Sequence, residues 1–277
     1  MTFPNSPTLP ERFDANQVEL AGVVTRIWAR GSDVFARLDT GKPSSDDDED
    51  DTRGYGVSAV HRATLRFPLG QVGGREVSLC KGDWLRLNGY LEDLPREESL
   101  RDFLSKAEKL ALLDEQPALQ SLEARARRSL TCVIPETVEP AFAQELCNAV
   151  RIEGVVAKAW EYDGHRFARL AVYDRHSTVT TRPGKNGHPR RIPHYITVQF
   201  SDGEVNGRTV ALKAKERCRI SGALVDRPYS ENLRSFLLDT HQAEVLAQIP
   251  NSDDVAELRI RRSSACVIAQ TMIQFTR

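Results

Sequence analysis

Aromatic and cationic side chains alternate with apolar ones along two segments in the second half of the chain. In residues 166–174, Ala168, Leu170 and Val172 share one parity, which predicts the buried side of a β-strand. The intervening side chains, and those of the alternating segment 195–200, then point outward. Cations bind phosphates and exposed rings stack on bases at ~1–3 kcal/mol per base, so this set predicts a surface for single-stranded nucleic acid. Its predicted contact residues are Phe167, Arg169, Tyr173 and Tyr195.

The first half of the chain repeats this pattern with more charge and fewer rings. Alternation in residues 34–39 and 62–67 again places one set of side chains outward, while Phe67 has the parity of the core, as Phe200 has in the second half. The predicted contact residues of this half are Phe35, Arg37, Arg62 and Arg66.

Three further aromatic residues lie near these predicted surfaces. Trp28 and Trp160 occupy equivalent places beside the first predicted turn of each half, where a structural plug and a platform for bases are both open interpretations. Tyr229 follows a later strand of the second half, where the first half has Arg96. We therefore expect Trp28, Trp160 and Tyr229 to contact nucleic acid, with the first half relying more on charge.

The segment 175–194 carries five cations and no acid. Its Pro-Gly and Asn-Gly pairs predict a flexible hairpin, and we expect a basic finger that folds over a polyanion. The corresponding segment 41–56 contains the uninterrupted acidic run from Asp46 to Asp51. The hypotheses for this run are competition with nucleic acid, recruitment of a partner, or a merely solubilising loop. The cations predicted to contact nucleic acid are Arg175, Arg182, Lys185, Arg190 and Arg191.

Composition excludes several classes of protein. The 277 residues are 40% hydrophobic and 28% charged, and no stretch approaches the ~18 apolar residues of a membrane span. The five cysteines form no CxxC pair, which argues against a zinc ribbon or disulfide scaffold and for a reducing cytosol. Cys132 and Cys266 lie in apolar contexts and are expected to be buried. No nucleophile, metal-ligand or P-loop pattern occurs, so we predict no catalytic residue, metal or cofactor.

The formal net charge of −1 hides an asymmetry between the two halves. Residues 1–140 hold 18 Lys and Arg against 24 Asp and Glu, whereas residues 141–277 hold 20 against 15. The acidic run accounts for the whole deficit of the first half. The second half is therefore the more suited to a polyanion.

The chain is an internal duplication. A shift of 132 aligns residues 16–38 with 148–170 at ten identical positions, a shift of 133 aligns residues 64–104 with 197–237, and a shift of 134 aligns residues 127–134 with 261–268. Two units of this length are too few for a solenoid, so they predict two homologous domains.

Each repeat predicts five short strands. In the first repeat they are expected at residues 17–28, 34–39, 62–67, 84–92 and 100–113, and in the second at 149–160, 166–174, 195–200, 217–225 and 233–246. A central glycine in each first strand predicts a bulge, and five strands with a kinked first one favour a small closed barrel. Short helices are expected after the strands, over residues 117–128 and from Ser252.

Four ordered segments carry a family resemblance. Residues 148–156, 166–172, 194–200 and 220–229 resemble the first strand, second strand, aromatic third strand and Gly-x-Leu fourth strand of the OB fold in bacterial single-stranded-DNA-binding proteins. Residues 81–91 show the same skeleton in the first repeat. The resemblance implies a mainly β fold of two tandem five-stranded OB-fold barrels with short helices after each, as in the tandem-OB members that pair as homodimers. The acidic C-terminal tip of that family has no counterpart in residues 271–277, so replication and repair partners stay unassigned.

These observations predict an organisation and a function. The expected divisions are an N-terminal extension 1–15, OB-fold domain 1 at 16–134, a linker 135–147, OB-fold domain 2 at 148–270 and a C-terminal tail 271–277. The predicted function is sequence-nonselective single-stranded DNA binding in the cytoplasm, at the nucleoid, protecting DNA in replication, repair or recombination. An RNA-binding OB protein and a protein-interaction module of a replication or conjugation complex stay open as alternatives.

Overall fold

The structure is a computed structural model, and it describes residues 13–41, 61–142, 145–162, 164–183, 189–200, 204–205, 208–249 and 252–275. The strands are β1 Asn16–Arg30, β2 Asp33–Asp39, β3 Arg62–Phe67, β4 Gln71–Val72, β5 Arg75–Glu76, β6 Trp84–Ser99, β7 Arg125–Pro140, β8 Cys147–Tyr162, β9 His165–Val172, β10 Val179–Pro183, β11 Pro189–Arg191, β12 His194–Phe200, β13 Glu204–Val205, β14 Arg208–Thr209, β15 Arg217–Asn232 and β16 Arg259–Phe275. The α-helices are α1 Leu100–Lys106, α2 Leu112–Glu115, α3 Pro117–Gln120, α4 Leu233–Asp239 and α5 Ser252–Ala256, and Pro68–Gly70 and Ala243–Gln248 are 3₁₀ helices.

Two rings of five strands form the architecture. Barrel 1 closes in the order β1-β2-β3-β7-β6 and back to β1, and barrel 2 closes in the order β8-β9-β12-β16-β15 and back to β8. In both, the third strand pairs in parallel with the last, through Leu65 opposite Val133 and Val198 opposite Val267. A five-stranded closed barrel with this order is the OB fold. The predicted fold class, two tandem OB-fold barrels in a mainly β chain, is confirmed.

The bulge predicted in each first strand is present. Gly22 lies so close to β2 that a Cβ there would stand 2.0 Å from the carbonyl oxygen of Asp39. The pairing of β1 with β2 shifts register between Val24 and Arg26, and β8 with β9 shifts between Val156 and Lys158. The bend lets one long strand pair with β6 along its first half and β2 along its second, which closes the barrel.

The predicted fifth strands at 100–113 and 233–246 are wrong, because both segments begin with a helix. Ser99 caps α1 in a capping box with Asp102, and Asn232 caps α4. The last strand of each barrel is instead the Arg-Arg-Ser-x-x-Cys-Val-Ile segment, in β7 and β16. Of the helix expected over 117–128, only Pro117–Gln120 is helical, and β7 extends to Pro140, into the expected linker.

The two barrels share one 10-stranded sheet through their first strands. Residues 16–21 of β1 pair antiparallel with residues 147–152 of β8, and Val18 lies opposite its own equivalent, Val150. The repeats are therefore related by an approximate two-fold axis at this ladder.

A second contact between the repeats lies at the helices. α1 and α3 pack with α4 and α5 into one apolar core that is separate from the core of the barrels, and the rings of Phe103 and Phe236 lie 5.0 Å apart. Beside this core, the Nη2 of Arg128 donates to Glu231 at 2.6 Å, and Arg262 binds both Glu98 and Glu231. Because each arginine touches both glutamates, these ion pairs tie the repeats together.

The thiols of the two equivalent cysteines are buried. Cys132 and Cys266 are buried as predicted, at 1% and 3% exposure, and burial raises the pKa of the Cys266 thiol to about 12.

Among the described residues, no helix is long and apolar enough to cross a membrane.

Candidate nucleic-acid interface

The outer face of β9 and β12 in barrel 2 carries the predicted surface. Ala168, Leu170 and Val172 are in the barrel core, as are Ile196, Val198 and Phe200, so the parity predicted from the sequence is confirmed. Arg169 stands opposite Thr197, and Tyr195 stands opposite Ala171. The outward side chains are thus Phe167, Arg169, Tyr195, Thr197 and Gln199.

Tyr195 presents a partly open ring on this face. Its side chain is 38% exposed, and the guanidinium of Arg169 lies 5.4 Å from the ring centroid. The same guanidinium donates to Asp93 of barrel 1 at 3.1 Å, so barrel 1 helps to hold the cation over the ring. Burial raises the pKa of Asp93, against the hydrogen bonds from Ser129 and Arg169.

Phe35 and Phe167 point outward but are covered, so their expected exposure is wrong. They are 4% and 7% exposed, because each pairs across the strands with a tryptophan. Trp28 stacks on Phe35 at 5.6 Å, and Trp160 stacks on Phe167 at 5.5 Å, both with an interplanar angle of 11°. The tryptophans therefore act as plugs over the phenylalanines, and they are themselves half-buried.

Cations cap both stacks. The amine of Lys158 lies 5.8 Å from the Trp160 ring, and the guanidinium of Arg227 lies 5.4 Å from the Phe167 ring. In barrel 1 the guanidinium of Arg26 lies 5.6 Å from the Trp28 ring. Arg26, Lys158 and Arg227 are not among the contact residues predicted from the sequence. The spacing of Arg227 two residues before Tyr229, on the same side of β15, is the sequence signal that points to it.

Tyr173 and Tyr229 border the face of barrel 2. Tyr229 is 41% exposed on β15, two residues beyond Arg227. Tyr173 is 39% exposed just after β9, where the carboxylate of Asp14 accepts a hydrogen bond from its backbone N–H at 2.8 Å. Two ring–cation contacts therefore lie on this face, Arg169 with Tyr195 and Arg227 with Phe167, and Tyr229 follows Arg227 two residues further along β15.

The predicted basic finger is a hairpin whose base is fixed to barrel 1. β10 pairs antiparallel with β11, and the ring of His176 stacks on Tyr90 with centroids 3.8 Å apart and planes at 3°. Arg175 donates to Glu136, and the guanidinium of Arg191 lies 4.8 Å from the ring of Phe13. Lys185 lies outside the described residues, as do the side chains of Arg182 and Arg190.

On barrel 1, two of the three predicted cations are held by acids. Arg62 pairs with Asp39 at 2.8 Å, and Arg66 pairs with Asp33 at 2.8 Å and with Glu92 at 2.7 Å. Arg37 is half-buried, and its Nε has no hydrogen-bond partner within the described part of the chain. The acidic run from Asp46 to Asp51 lies outside the described residues.

This strand order and this surface of rings and cations define a tandem OB-fold protein. The wild-type single-stranded DNA binding protein from Thermus aquaticus is similar to the chain, at 15% identity and a TM-score of 0.46, over 96% of this chain and 95% of that one. A deletion variant of that protein is similar at 13% identity and the same TM-score. The N-terminal domain of PriB from Thermoanaerobacter tencongensis is similar at 15% identity and a TM-score of 0.20, over 47% of this chain and 98% of that one.

No protein-family profile matches the chain, and no curated protein matches it. The Thermus aquaticus protein bears the name of the family to which the sequence showed a resemblance. The strand order of this chain by itself defines its OB folds.

Proposed function

We propose that this chain binds single-stranded DNA through the outer faces of its OB folds, without sequence selectivity. Bases stack on exposed rings, and phosphates pair with neighbouring arginines and lysines. Stacking suits all four bases because each has a π-face, which explains binding without base-specific hydrogen bonds.

One observation carries the proposal: a partly open tyrosine ring with a cation over it, on the strands where OB folds bind oligonucleotides. Tyr195 is 38% exposed beside Arg169, and Tyr229 is 41% exposed two residues after Arg227. Rings at the surface of a β-barrel gain free energy when a ligand or partner covers their apolar faces.

The test is a fluorescence titration with oligo(dT) of ~8 to ~32 nucleotides, a range set by the ~4–16 nucleotides that one OB fold occupies. We expect binding with a change in tryptophan emission, because Trp160 lies against Phe167 at the edge of the face. The logarithm of affinity should fall with the logarithm of salt concentration, by about 0.7 per phosphate neutralised on a single strand.

Matched RNA and duplex probes separate the alternatives. Preference for RNA over dT of equal length would favour an RNA-binding protein, since the 2′-hydroxyl distinguishes the two. Absence of binding to every nucleic acid at low salt would contradict the proposal and leave a protein-interaction module.

The cellular role and oligomeric state are part of the same proposal. We propose that the chain coats single strands during replication, repair or recombination, in the cytoplasm, and that it pairs as a homodimer with four barrels. Light scattering of the free protein gives its mass, and a monomeric mass at micromolar concentration would contradict the dimer.

A further inference from the structure

The duplication lets the two predicted faces be compared position by position. By the duplication, β2 and β3 of barrel 1 correspond to β9 and β12 of barrel 2, and they occupy the same places in the strand order. The differences between the two outer faces therefore lie in their side chains. Arg37 and Arg169 are equivalent, but at six other positions carboxylates and arginines of barrel 1 are replaced by rings or other formally neutral side chains in barrel 2.

Arg66 is the most strongly held cation of the barrel 1 face. Its Nε donates to Asp33 at 2.8 Å and its Nη1 donates to Glu92 at 2.7 Å, while its side chain is only 21% exposed. Burial by itself would raise the pKa of Asp33, but hydrogen bonds from Arg66 and from the backbone N–H of Leu69 outweigh it and lower that pKa. Asp33 is therefore charged at neutral pH, and two carboxylates face the single positive charge of Arg66.

Arg62, on the same face, is held in a similar way. Its Nε donates to Asp39, the residue directly opposite it on β2, at 2.8 Å. A phosphate that approaches either arginine must displace a carboxylate already in place and must approach the negative charge of that carboxylate. Ion pairs of this kind cancel most of the attraction that the arginines would otherwise exert on DNA.

Barrel 2 lacks these carboxylates. His165, Ala171 and Val225 occupy the places of Asp33, Asp39 and Glu92. The cations change with them: Tyr195, Gln199 and Tyr229 occupy the places of Arg62, Arg66 and Arg96. Two of these replacements are the exposed rings described above.

We propose that barrel 2 is the principal single-stranded DNA site and that Asp33, Asp39 and Glu92 silence the equivalent face of barrel 1. This inference rests on the proposed function and adds a division of labour between the barrels. Binding energy comes from stacking on Tyr195 and Tyr229, and Arg62 and Arg66 of barrel 1 contribute little while their carboxylates stay in place.

The first experiment compares equivalent positions by loss of affinity for labelled oligo(dT). Tyr195→Ala and Tyr229→Ala are each expected to weaken binding by about 5- to 100-fold, the range of one lost base stack. Arg62→Ala removes the side chain of barrel 1 that is equivalent to Tyr195, and it is expected to weaken binding by less than about threefold, because Asp39 already occupies the Arg62 guanidinium.

The second experiment tests for a gain of affinity for oligo(dT). Asp33→Asn with Glu92→Gln removes both acids from Arg66, and the amide that replaces the Asp33 carboxylate retains an oxygen for the N–H of Leu69. We expect tighter binding and a salt slope steeper by about 0.7, the value for one additional phosphate contact on a single strand. The matched control is Glu19→Gln with Glu139→Gln, which makes the same change of net charge. These two acids lie beside Arg86 on β1, β6 and β7, away from the outer face of β2 and β3.

Each outcome decides between the proposals. If the unmodified chain binds no nucleic acid, the proposed function fails and the division of labour fails with it. If the chain binds but Arg62→Ala weakens binding as much as Tyr195→Ala, or the Asp33 and Glu92 double variant and its control gain equally, DNA binding stands and the silencing of barrel 1 is wrong. Circular dichroism of every variant distinguishes lost contacts from lost folding.

Discussion

At the scale of single residues, an equivalent asparagine braces each barrel. The amide of Asn16 donates to the carbonyl of Leu91 at 2.8 Å, and its oxygen accepts from the N–H of Leu91 at 2.9 Å. Asn148 makes the same pair of bonds with Leu224. The Asn16 side chain therefore bonds the backbone of Leu91 in place of a neighbouring strand, two residues beyond the register shift in β6. Asn148 does the same for Leu224, two residues beyond the register shift in β15. Each also reaches the other repeat, Asn16 through Asp174 and Asn148 through Thr40.

Asn16→Ala is expected to destabilise the protein by about 2–3 kcal/mol, because the buried N–H and carbonyl of Leu91 lose their partner. Urea unfolding followed by circular dichroism measures the change. Asn148→Ala should have a similar cost, since it breaks the equivalent bonds. Gln17→Ala, an exposed neighbour, is the control and should change stability by less than ~0.5 kcal/mol. Equal stability of the Asn16 variant and the control would contradict this prediction and would show that water bonds the backbone of Leu91 in place of Asn16.

At the scale of elements, close approach of two backbones decides where β6 meets β7. A Cβ at Gly89 would lie 2.1 Å from the carbonyl oxygen of Ile134, and one at Gly222 would lie 2.0 Å from that of Ile268. The pairing of β6 with β7 shifts register at Gly89, so the glycine permits the bulge that closes the barrel.

Gly89→Ala is expected to cost about 3 kcal/mol, because the methyl group forces the backbones of β6 and β7 apart. Thermal unfolding should show a lower Tm. Asn88→Ala, whose side chain is exposed beside it, is the control. If the two variants unfold at the same temperature, β7 is free to move away and the close approach is not required.

The helices after β6 and β15 illustrate how tertiary contacts override local pattern. Residues 100–113 contain apolar residues at a spacing that suits either a strand or a helix, and the capping box at Ser99 favours the helix. Leu100, Phe103 and Leu104 then all face the shared apolar core. The partner of that core comes from the other repeat, which periodicity within one segment does not show.

At the scale of the whole molecule, the ion pairs between repeats predict a loss of stability in acid. Burial by itself would raise the pKa of Glu98, but hydrogen bonds from Arg262 and Lys106 outweigh it and lower that pKa. A carboxyl with a lower pKa in the folded state adds stability above its unfolded pKa of ~4.3, and this stability is lost as pH falls through the folded value.

The free energy of unfolding should therefore decrease below about pH 4.3, and Glu98→Gln should flatten that decrease. Urea unfolding at several pH values between neutral and acid measures the slope. Glu97→Gln is the control, because the Glu97 side chain is 64% exposed and its ion pair with Arg125, at 3.6 Å, lies at the surface. An unchanged slope in the Glu98 variant would mean that other carboxyls dominate acid unfolding.

The β1–β8 ladder and the shared helical core predict that the two barrels unfold together. We expect one transition in calorimetry, with equal calorimetric and van't Hoff enthalpies. Two transitions, or a calorimetric enthalpy about twice the van't Hoff value, would show that the barrels are energetically independent despite their contacts.

The sequence alone determined the duplication, four strands of each barrel, the presence of a bulge in each first strand and which side chains point into the core, because these follow from local periodicity and from comparison of the repeats. Only the tertiary structure decided that β7 and β16 close the barrels, that the tryptophans cover Phe35 and Phe167, and that Arg62 and Arg66 are held by Asp39, Asp33 and Glu92. The physical reason is that a strand's parity fixes the direction of a side chain, whereas its partner comes from residues distant in sequence.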